Sequence, residues 1–377
     1  NGELRLDSVD LRGPDTDETP LSIEAGGVII GAHPDFRAQV TALSLGNPLV
    51  RCGLEASGAT AALEILRDWR LQGAIDAQVE LPGTRTGGSW EVVVEPSWIR
   101  GERNERPFEV RRRAGALLAG PQGLKVDALD LTFDQGHLSI DGALGPTESS
   151  TLVGQLTISA SATNDSESLR ALMPSNARRS LEAIEFSAGS AVWTDAMRLL
   201  IDVPREGSNR VSVIGDLGIA NSRFKGGVTF DQIDGLLRFD ITTVGGEPAG
   251  SIGLQFDQVH ALGRRATDIH GDLLFESDTG RVRLEDLSAG MYGGRIAARG
   301  MFDRTDGWDV HLACANIGFG RFVAAGQAPS ADTKQPVAGS DGQLRGRIDV
   351  AGRAGDPLSR HGSGKMAVTD ARMMEFP

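Results

Sequence analysis

The stretch between Ile269 and Asn316 consists of four short runs in which apolar and polar residues alternate. Turn sequences rich in glycine and aspartate, such as Arg304-Thr305-Asp306-Gly307, separate the runs. Alternation with a period of two between such turns is typical of antiparallel strands that have one apolar and one polar face. The stretch therefore predicts a meander of strands with a large one-sided apolar surface.

The alternation also assigns individual side chains to the two faces, because successive side chains of a strand point to opposite sides. We predict that one apolar surface contains Val282, Leu284, Ile296, Ala298, Phe302, Val310 and Leu312. We predict that the opposite, polar surface contains Arg281, Arg283, Arg295, Arg299, Asp309 and His311.

The same strand pattern extends over most of the chain, and three stretches with helical spacing of apolar residues interrupt it. These predicted helices cover Thr60–Trp69, Ser166–Ile184 and Ile317–Ala325. From the interruptions we predict four parts: the end of a preceding β module (1–58), two modules that each combine a helix with strands (59–165 and 166–316), and a C-terminal module (317–377).

Three short helices are too few to cover the apolar face of so many strands, which must be buried against something. We therefore expect a mostly β chain with an elongated antiparallel sheet and a few short helices. Either the sheet closes or folds on itself, or it is curled into an open apolar groove that something else fills. Short echoes such as Leu71-Gln72-Gly73-Ala74-Ile75-Asp76 and Leu344-Arg345-Gly346-Arg347-Ile348-Asp349 indicate loosely repeated hairpins and no strict solenoid.

Composition narrows the classes of function. The chain has 377 residues and a net charge of −13, which argues against nucleic acid as a partner. Its five tryptophans and single tyrosine provide few aromatic platforms for stacking on sugars. The two cysteines, Cys52 and Cys314, form neither a disulfide framework nor a metal motif. No run approaches the ~20 apolar residues of a membrane-spanning helix.

Motifs for catalysis and for cofactor binding are incomplete. Gly362-Ser363-Gly364-Lys365 is similar to a phosphate-binding loop, but Met366 replaces the required Ser or Thr. The six histidines are scattered without a metal-binding pair, and no GxSxG nucleophile motif occurs. We predict no catalytic residue, no metal and no cofactor, so the chain is interpreted as a protein that is not an enzyme. A pair of catalytic carboxylates among the many acidic residues is the alternative.

A charged segment lies between Arg100 and Arg113, where arginines alternate with Glu102, Glu105 and Glu109. The segment could contact an anion or a lipid headgroup. The other interpretation, which a run of mixed charges favours, is the solvated rim of a sheet. The sequence leaves both interpretations open.

Residues 282–296 resemble the repeated segment of AsmA-like proteins, in which a strand leads into a short loop, an aromatic residue, two glycines and another strand. Here Tyr292-Gly293-Gly294 occupies the loop. Residues 341–349 and 362–372 are similar to the closing pattern of that family. The resemblance extends over about 269–377.

The resemblance implies a bacterial envelope protein of the bridge-like lipid-transfer type. Such proteins are anchored in the inner membrane by an N-terminal helix, extend across the periplasm and carry phospholipid acyl chains along an apolar β-groove. We accordingly expect a periplasmic, non-catalytic protein that moves phospholipid between inner and outer membranes or supports outer-membrane assembly. The seven apolar residues named above become candidate groove residues. We interpret the chain as part of a longer protein whose other segments reach the membranes.

The same residues also fit a different class of protein. Small side chains in the apolar rows, such as Ala298 and Gly300, could taper the packed core of a closed structure. The alternative is therefore an extracytoplasmic β-sandwich or β-helix module that binds glycans or protein partners.

Overall fold

The computed structural model describes residues 3–12, 22–30, 33–46, 50, 60–81, 90–103, 105–163, 166, 168, 171, 190–225, 229–277, 279–303, 307–325, 342–353 and 356–370. Within these ranges, bounds are defined for nineteen strands and two short helices. The strands are antiparallel and dominate the chain, so the prediction of a mostly β fold with few short helices is confirmed.

The chain divides into two units. The first comprises Asn1–Arg178 with Arg198–Gly207, and the second comprises Arg179–Met197 with Ser208–Pro377. Strand β10 (Ala191–Pro204) contributes its end to the first unit and its beginning to the second. The predicted division into four modules stays a prediction.

The first unit is a meander of nine strands in which each strand pairs with the next along the chain. Its elements are β1 (Glu3–Arg12), β2 (Ser22–Ile30), β3 (His33–Ser44), α1 (Thr60–Asp68), β4 (Gln72–Leu81), β5 (Glu91–Arg103), β6 (Arg106–Gly120), β7 (Gly123–Phe133), β8 (Gly136–Gly145) and β9 (Ser150–Thr163).

The second unit repeats this construction. Strands β11 to β19 again pair in chain order. Its elements after β10 are β11 (Arg210–Lys225), β12 (Thr229–Val244), β13 (Glu247–Ala261), β14 (Arg264–Glu276), β15 (Arg281–Met291), β16 (Gly294–Asp303), β17 (Gly307–Gly318), α2 (Phe319–Ala325), β18 (Gln343–Arg353) and β19 (Asp356–Thr369).

Two of the predicted helices can be compared with the structure. Helix α1 agrees with the prediction, whereas α2 begins at Phe319 and not at Ile317. Ile317 pairs with Leu344 as part of β17, so this β-branched residue extends the strand. Of the third predicted helix, Ser166–Ile184, only positions 166, 168 and 171 lie within the described residues, and Ser168 and Ala171 are helical.

Several hairpins of the second unit are closed by tight two-residue turns. Both turn residues have positive φ in Gly245-Gly246, Leu262-Gly263 and Tyr292-Gly293. Two consecutive positive φ angles define the turn whose twist matches that of the flanking strands. Glycine-rich sequence at these points therefore explains why the strands follow one another as hairpins.

A line of β-bulges crosses one end of the second unit. The bulged positions include residues with φ between 48° and 56°: Asn221, Gln232, Asp268, Asp286 and Asn316. Asn221 and Asn316 lie late in β11 and β17, and Gln232 and Asp268 lie early in β12 and β14, so these four lie toward the same end of the meander. Asp286 lies at the middle of β15. Because a bulge bends its strand and increases the local twist, this line bends the sheet near that end.

Well-buried side chains of the second unit lie at this same end, close to α2. Ile317 is 1% exposed and Leu344 is 4% exposed, and Ile269 and Ala289 are also buried. Phe322 of α2 packs edge-on against Tyr292, with ring centroids 6.5 Å apart. The helix thus closes one end of the sheet with a small core.

The first unit has a comparable core beside α1. Trp69, which follows the helix, packs edge-on against Phe108 with ring centroids 6.1 Å apart. Leu43, Phe133 and Ala171 are also buried. In each unit the helical segment therefore covers part of the apolar sheet surface.

Candidate functional site: an apolar sheet face

The strand register places all seven predicted groove residues on one face of the second unit. Residues directly opposite each other in neighbouring strands share a face. The relevant pairs are Val282 with Phe302, Leu284 with Gly300, Gly300 with Val310, Ala298 with Leu312, and Ile296 with Cys314. The six predicted polar-face residues fall on the other side, as Arg299 opposite His311 illustrates.

This surface, here called the apolar face, extends well beyond the predicted strands. One row of directly opposed residues crosses nine strands as Gly215, Phe239, Ile252, Leu273, Leu284, Gly300, Val310, Val350 and Gly362. The next row contains Val213, Ile241, Gly250, Phe275, Val282, Phe302, Trp308 and Gly352. The rows run across the strands without a charged side chain.

Two residues reach the apolar face only because of the bulge at Asp286. Leu284 lies opposite Gly300, and Leu287, three residues later, lies opposite Ala298. The extra residue moves the odd-numbered Leu287 and Ala289 onto the face that even-numbered residues occupy before it. An assignment based on a strict period of two places neither residue on the apolar face. The position of the bulge can still be seen in the sequence, because the consecutive acids Glu285 and Asp286 interrupt the alternation.

The seven candidate side chains all keep access to solvent. Six are partly exposed and Phe302 is 43% exposed. Among the elements with defined bounds, strands β11 to β19 make their extensive contacts with sheet neighbours, and α2 contacts β17. A residue inside a packed sandwich would be almost completely buried. The arrangement in this unit is thus that of an apolar surface left open away from α2.

The thiol of Cys314 lies on the apolar face opposite Ile296 and is free. Burial raises its pKa, and a backbone hydrogen bond with Gly346 acts weakly in the other direction. A raised pKa keeps a thiol protonated and unreactive at neutral pH. Cys314 therefore behaves as a small apolar side chain in this surface.

The polar face holds a network of charged side chains. His311 Nδ1 donates to Asp349 Oδ1 at 2.6 Å, and Arg347 Nε contacts the same oxygen at 3.1 Å. The hydrogen bond from His311, together with that from Arg347, holds the pKa of Asp349 below its ordinary value. Ala297 and Ala313 lie beside this network in a shallow hollow of about 410 Å³. This face carries charged side chains, in contrast to the apolar face.

The arginine-rich segment of the first unit forms contacts within the protein. Arg112 Nη2 lies 2.8 Å from Glu95 Oε2, and Arg111 Nε lies 2.7 Å from Glu109 Oε1. The Arg103 guanidinium lies 4.3 Å from the centroid of the Trp69 ring. Arginines that are already paired in this way favour the solvated rim over an anion site.

The part of the chain that the structure describes contains no metal site, phosphate-binding loop or membrane-spanning helix. No cluster of three or more His, Cys, Asp or Glu side chains with metal-binding geometry occurs there. Gly362-Ser363-Gly364-Lys365 forms part of the extended strand β19 and not a phosphate-binding turn before a helix. No described helix has the length and apolarity needed to cross a membrane.

Comparisons with family models, with curated proteins and with solved structures give no match to this chain. The resemblance to AsmA-like proteins accordingly stays a prediction that rests on the short motifs quoted above. The class that the fold defines is an antiparallel β meander with one open apolar face.

Proposed function

We propose that this chain is a non-catalytic envelope protein that holds phospholipid acyl chains on the apolar face of its second unit. The observation that carries the proposal is the pair of uncharged rows, one across β11 to β19 and one across β11 to β18, whose side chains remain partly exposed away from α2. A large exposed apolar surface of this kind is typical of a site that binds a ligand, a membrane or another protein.

An acyl chain suits the chemistry of this surface. Each CH₂ group removed from water contributes ~0.8 kcal/mol. Apart from the indole N–H of Trp308, the rows present glycines and leucine, isoleucine, valine and phenylalanine side chains that offer no hydrogen-bonding group. A glycan would leave its hydroxyl groups without partners against them.

The direction of the rows supports transfer as well as binding. They run across the strands, which are spaced about 4.8 Å apart, so a chain lying along a row meets an apolar residue at every strand. Such a path fits the movement of phospholipid between inner and outer membranes that the AsmA-like resemblance implies. A periplasmic location and membrane attachment through other segments belong to the same proposal.

Lipid extraction from the purified full chain, combined with native mass spectrometry, tests the proposal. We expect phospholipid to copurify with the protein and to appear as added mass on the intact ion. A chain free of lipid that also fails to take up phospholipid from vesicles would overturn the proposal. A retained glycan in place of lipid would support the alternative class.

A matched pair of variants locates the ligand on one face. Ile296→Asp places a charge in the path of the acyl chain, but its carboxylate can still reach solvent because Ile296 is partly exposed. We expect a melting temperature lowered by only a few degrees and a clear loss of bound lipid.

Arg295→Asp is the control on the polar face, one residue away in the same strand. Arg295 has no ion-pair partner among the described side chains, so its replacement breaks no bridge there. Lipid content should stay at the wild-type level. Equal lipid loss in both variants, or wholesale unfolding caused by Ile296→Asp, contradicts an open lipid-binding face.

A further inference from the structure

The second row of the apolar face, which contains Trp308 opposite Gly352, meets a charged side chain on β19. Ala351 lies opposite His361, so the antiparallel register brings the preceding residue, Arg360, beside Gly352. A Cβ atom on Gly352 would lie 3.0 Å from Trp308 Cζ2 and 3.3 Å from Arg360 Cγ. Both side chains therefore extend over Gly352 on the same side of the sheet, and Arg360 belongs to the apolar face.

This cation is an exception on the apolar face. The other residues that β19 contributes to this side of the sheet are Gly362, Gly364, Met366 and Val368, none of which carries a charge. The two rows also contain no charged residue across β11 to β18. Arg360 is exposed and has no ion-pair partner among the described side chains. Its charge is thus available to an anionic group of a ligand that lies on this face.

Trp308 and Arg360 together suit the junction between the acyl chain and the headgroup of a phospholipid. The indole of tryptophan combines an apolar ring with one hydrogen-bond donor, and this side chain is enriched where lipid chains meet headgroups. The planar guanidinium of arginine can donate two parallel hydrogen bonds to a phosphate group. An acyl chain on the second row would therefore bring its phosphate group within reach of Arg360 if the headgroup lay at β19.

We infer that Arg360 binds the phosphate group of the phospholipid whose acyl chain lies on the second row, with Trp308 beside the junction of chain and headgroup. The inference rests on the proposed function, because it positions the headgroup of that same ligand. It also gives the bound lipid a direction: the headgroup lies at β19 and the acyl chain extends over Gly352 and Trp308 toward β11.

Two ligands with the same acyl chain, a monoacylglycerol and its phosphate ester, test the inference on the full chain. Calorimetric titration with monomeric ligand gives the ratio of the two affinities. We expect the wild type to bind the phosphate ester about tenfold more tightly, and Arg360→Gln to reduce this ratio to about one. Arg360→Lys should keep part of the preference. Lys365→Gln, which removes a positive charge on the polar side of the same strand opposite Arg347, should leave the ratio at the wild-type value.

The monoacylglycerol separates failure of the inference from failure of the proposed function. If it binds, but the wild-type ratio is near one or Arg360→Gln leaves the ratio unchanged, the inference alone is overturned. An equal fall of the ratio in Lys365→Gln would also overturn it, because the preference would then reflect general charge. Displacement of the phosphate ester by an equal concentration of inorganic phosphate would assign the site to free phosphate and overturn the inference. If neither ligand binds the wild type, the proposed function and the inference are both overturned.

Discussion

At the scale of single residues, the structure explains the motif on which the family resemblance rests. Tyr292 and Gly293 have φ angles of 47° and 84° and form the tight turn between β15 and β16. A Cβ atom on Gly294 would lie 2.4 Å from the carbonyl oxygen of Ala315, so only glycine fits there. The Tyr292 ring packs on Phe322. The aromatic residue and the two glycines thus form the turn of the β15–β16 hairpin and pack that hairpin against α2.

Cys314 offers a natural probe of the apolar face. In a Cys52→Ser background we expect its reaction with a disulfide reagent to rise with pH through a midpoint above the ordinary thiol value of about 8.5, because burial raises the Cys314 pKa. Added phospholipid should slow the reaction further, since a bound acyl chain would shield the thiol.

The matched control for this experiment is a cysteine on the polar face, Ala313→Cys combined with Cys314→Ser. Ala313 neighbours Cys314 in the chain, is exposed and points to the other side. The rate at which the introduced thiol reacts should depend on pH as it does for an ordinary exposed thiol, and added phospholipid should not change that rate. Equal protection of both thiols by lipid would contradict a ligand confined to one face.

At the scale of elements, the bulges decide which residues each strand contributes to the apolar face. Asp286 has a φ of 50°, a left-handed conformation that β-branched residues avoid. We predict that Asp286→Val lowers the free energy of unfolding by about 1–2 kcal/mol, whereas Asp286→Gly leaves it within about 0.5 kcal/mol of wild type. Chemical denaturation measures both values.

Asp240→Val is the control for the bulge, since Asp240 is an exposed aspartate at a regular position of β12, opposite Ile214 and Ser251. Valine favours strands, so this variant should be neutral or slightly stabilising. If both valine variants had the same stability, the bulge conformation at Asp286 would not limit the residue type there.

At the scale of the whole molecule, much of the second unit follows from its alternation of apolar and polar residues. The sequence predicted which residues of β16 and β17 lie on each face of the sheet. It also predicted that α1 begins at Thr60.

Other features depend on contacts that a local pattern does not contain. A bulge shifts the alternation by one residue, so Leu287 and Ala289 could not be assigned by period alone. Ile317 fits a helix or a strand locally, and its pairing with Leu344, distant in sequence, decides for the strand. The extent of the apolar face across β11 to β19 likewise follows from the register of many strands.

The central claim is that the apolar face, and not the polar face, holds lipid. Its most direct test is photocrosslinking of the full chain carrying benzoylphenylalanine at successive positions of β16, followed by mass spectrometry of lipid adducts. We predict adducts from Ile296, Ala298 and Phe302 and none from Arg295, Ala297 and Arg299, a footprint with a period of two. Equal adducts from both sets, or adducts from the second set alone, would contradict the claim.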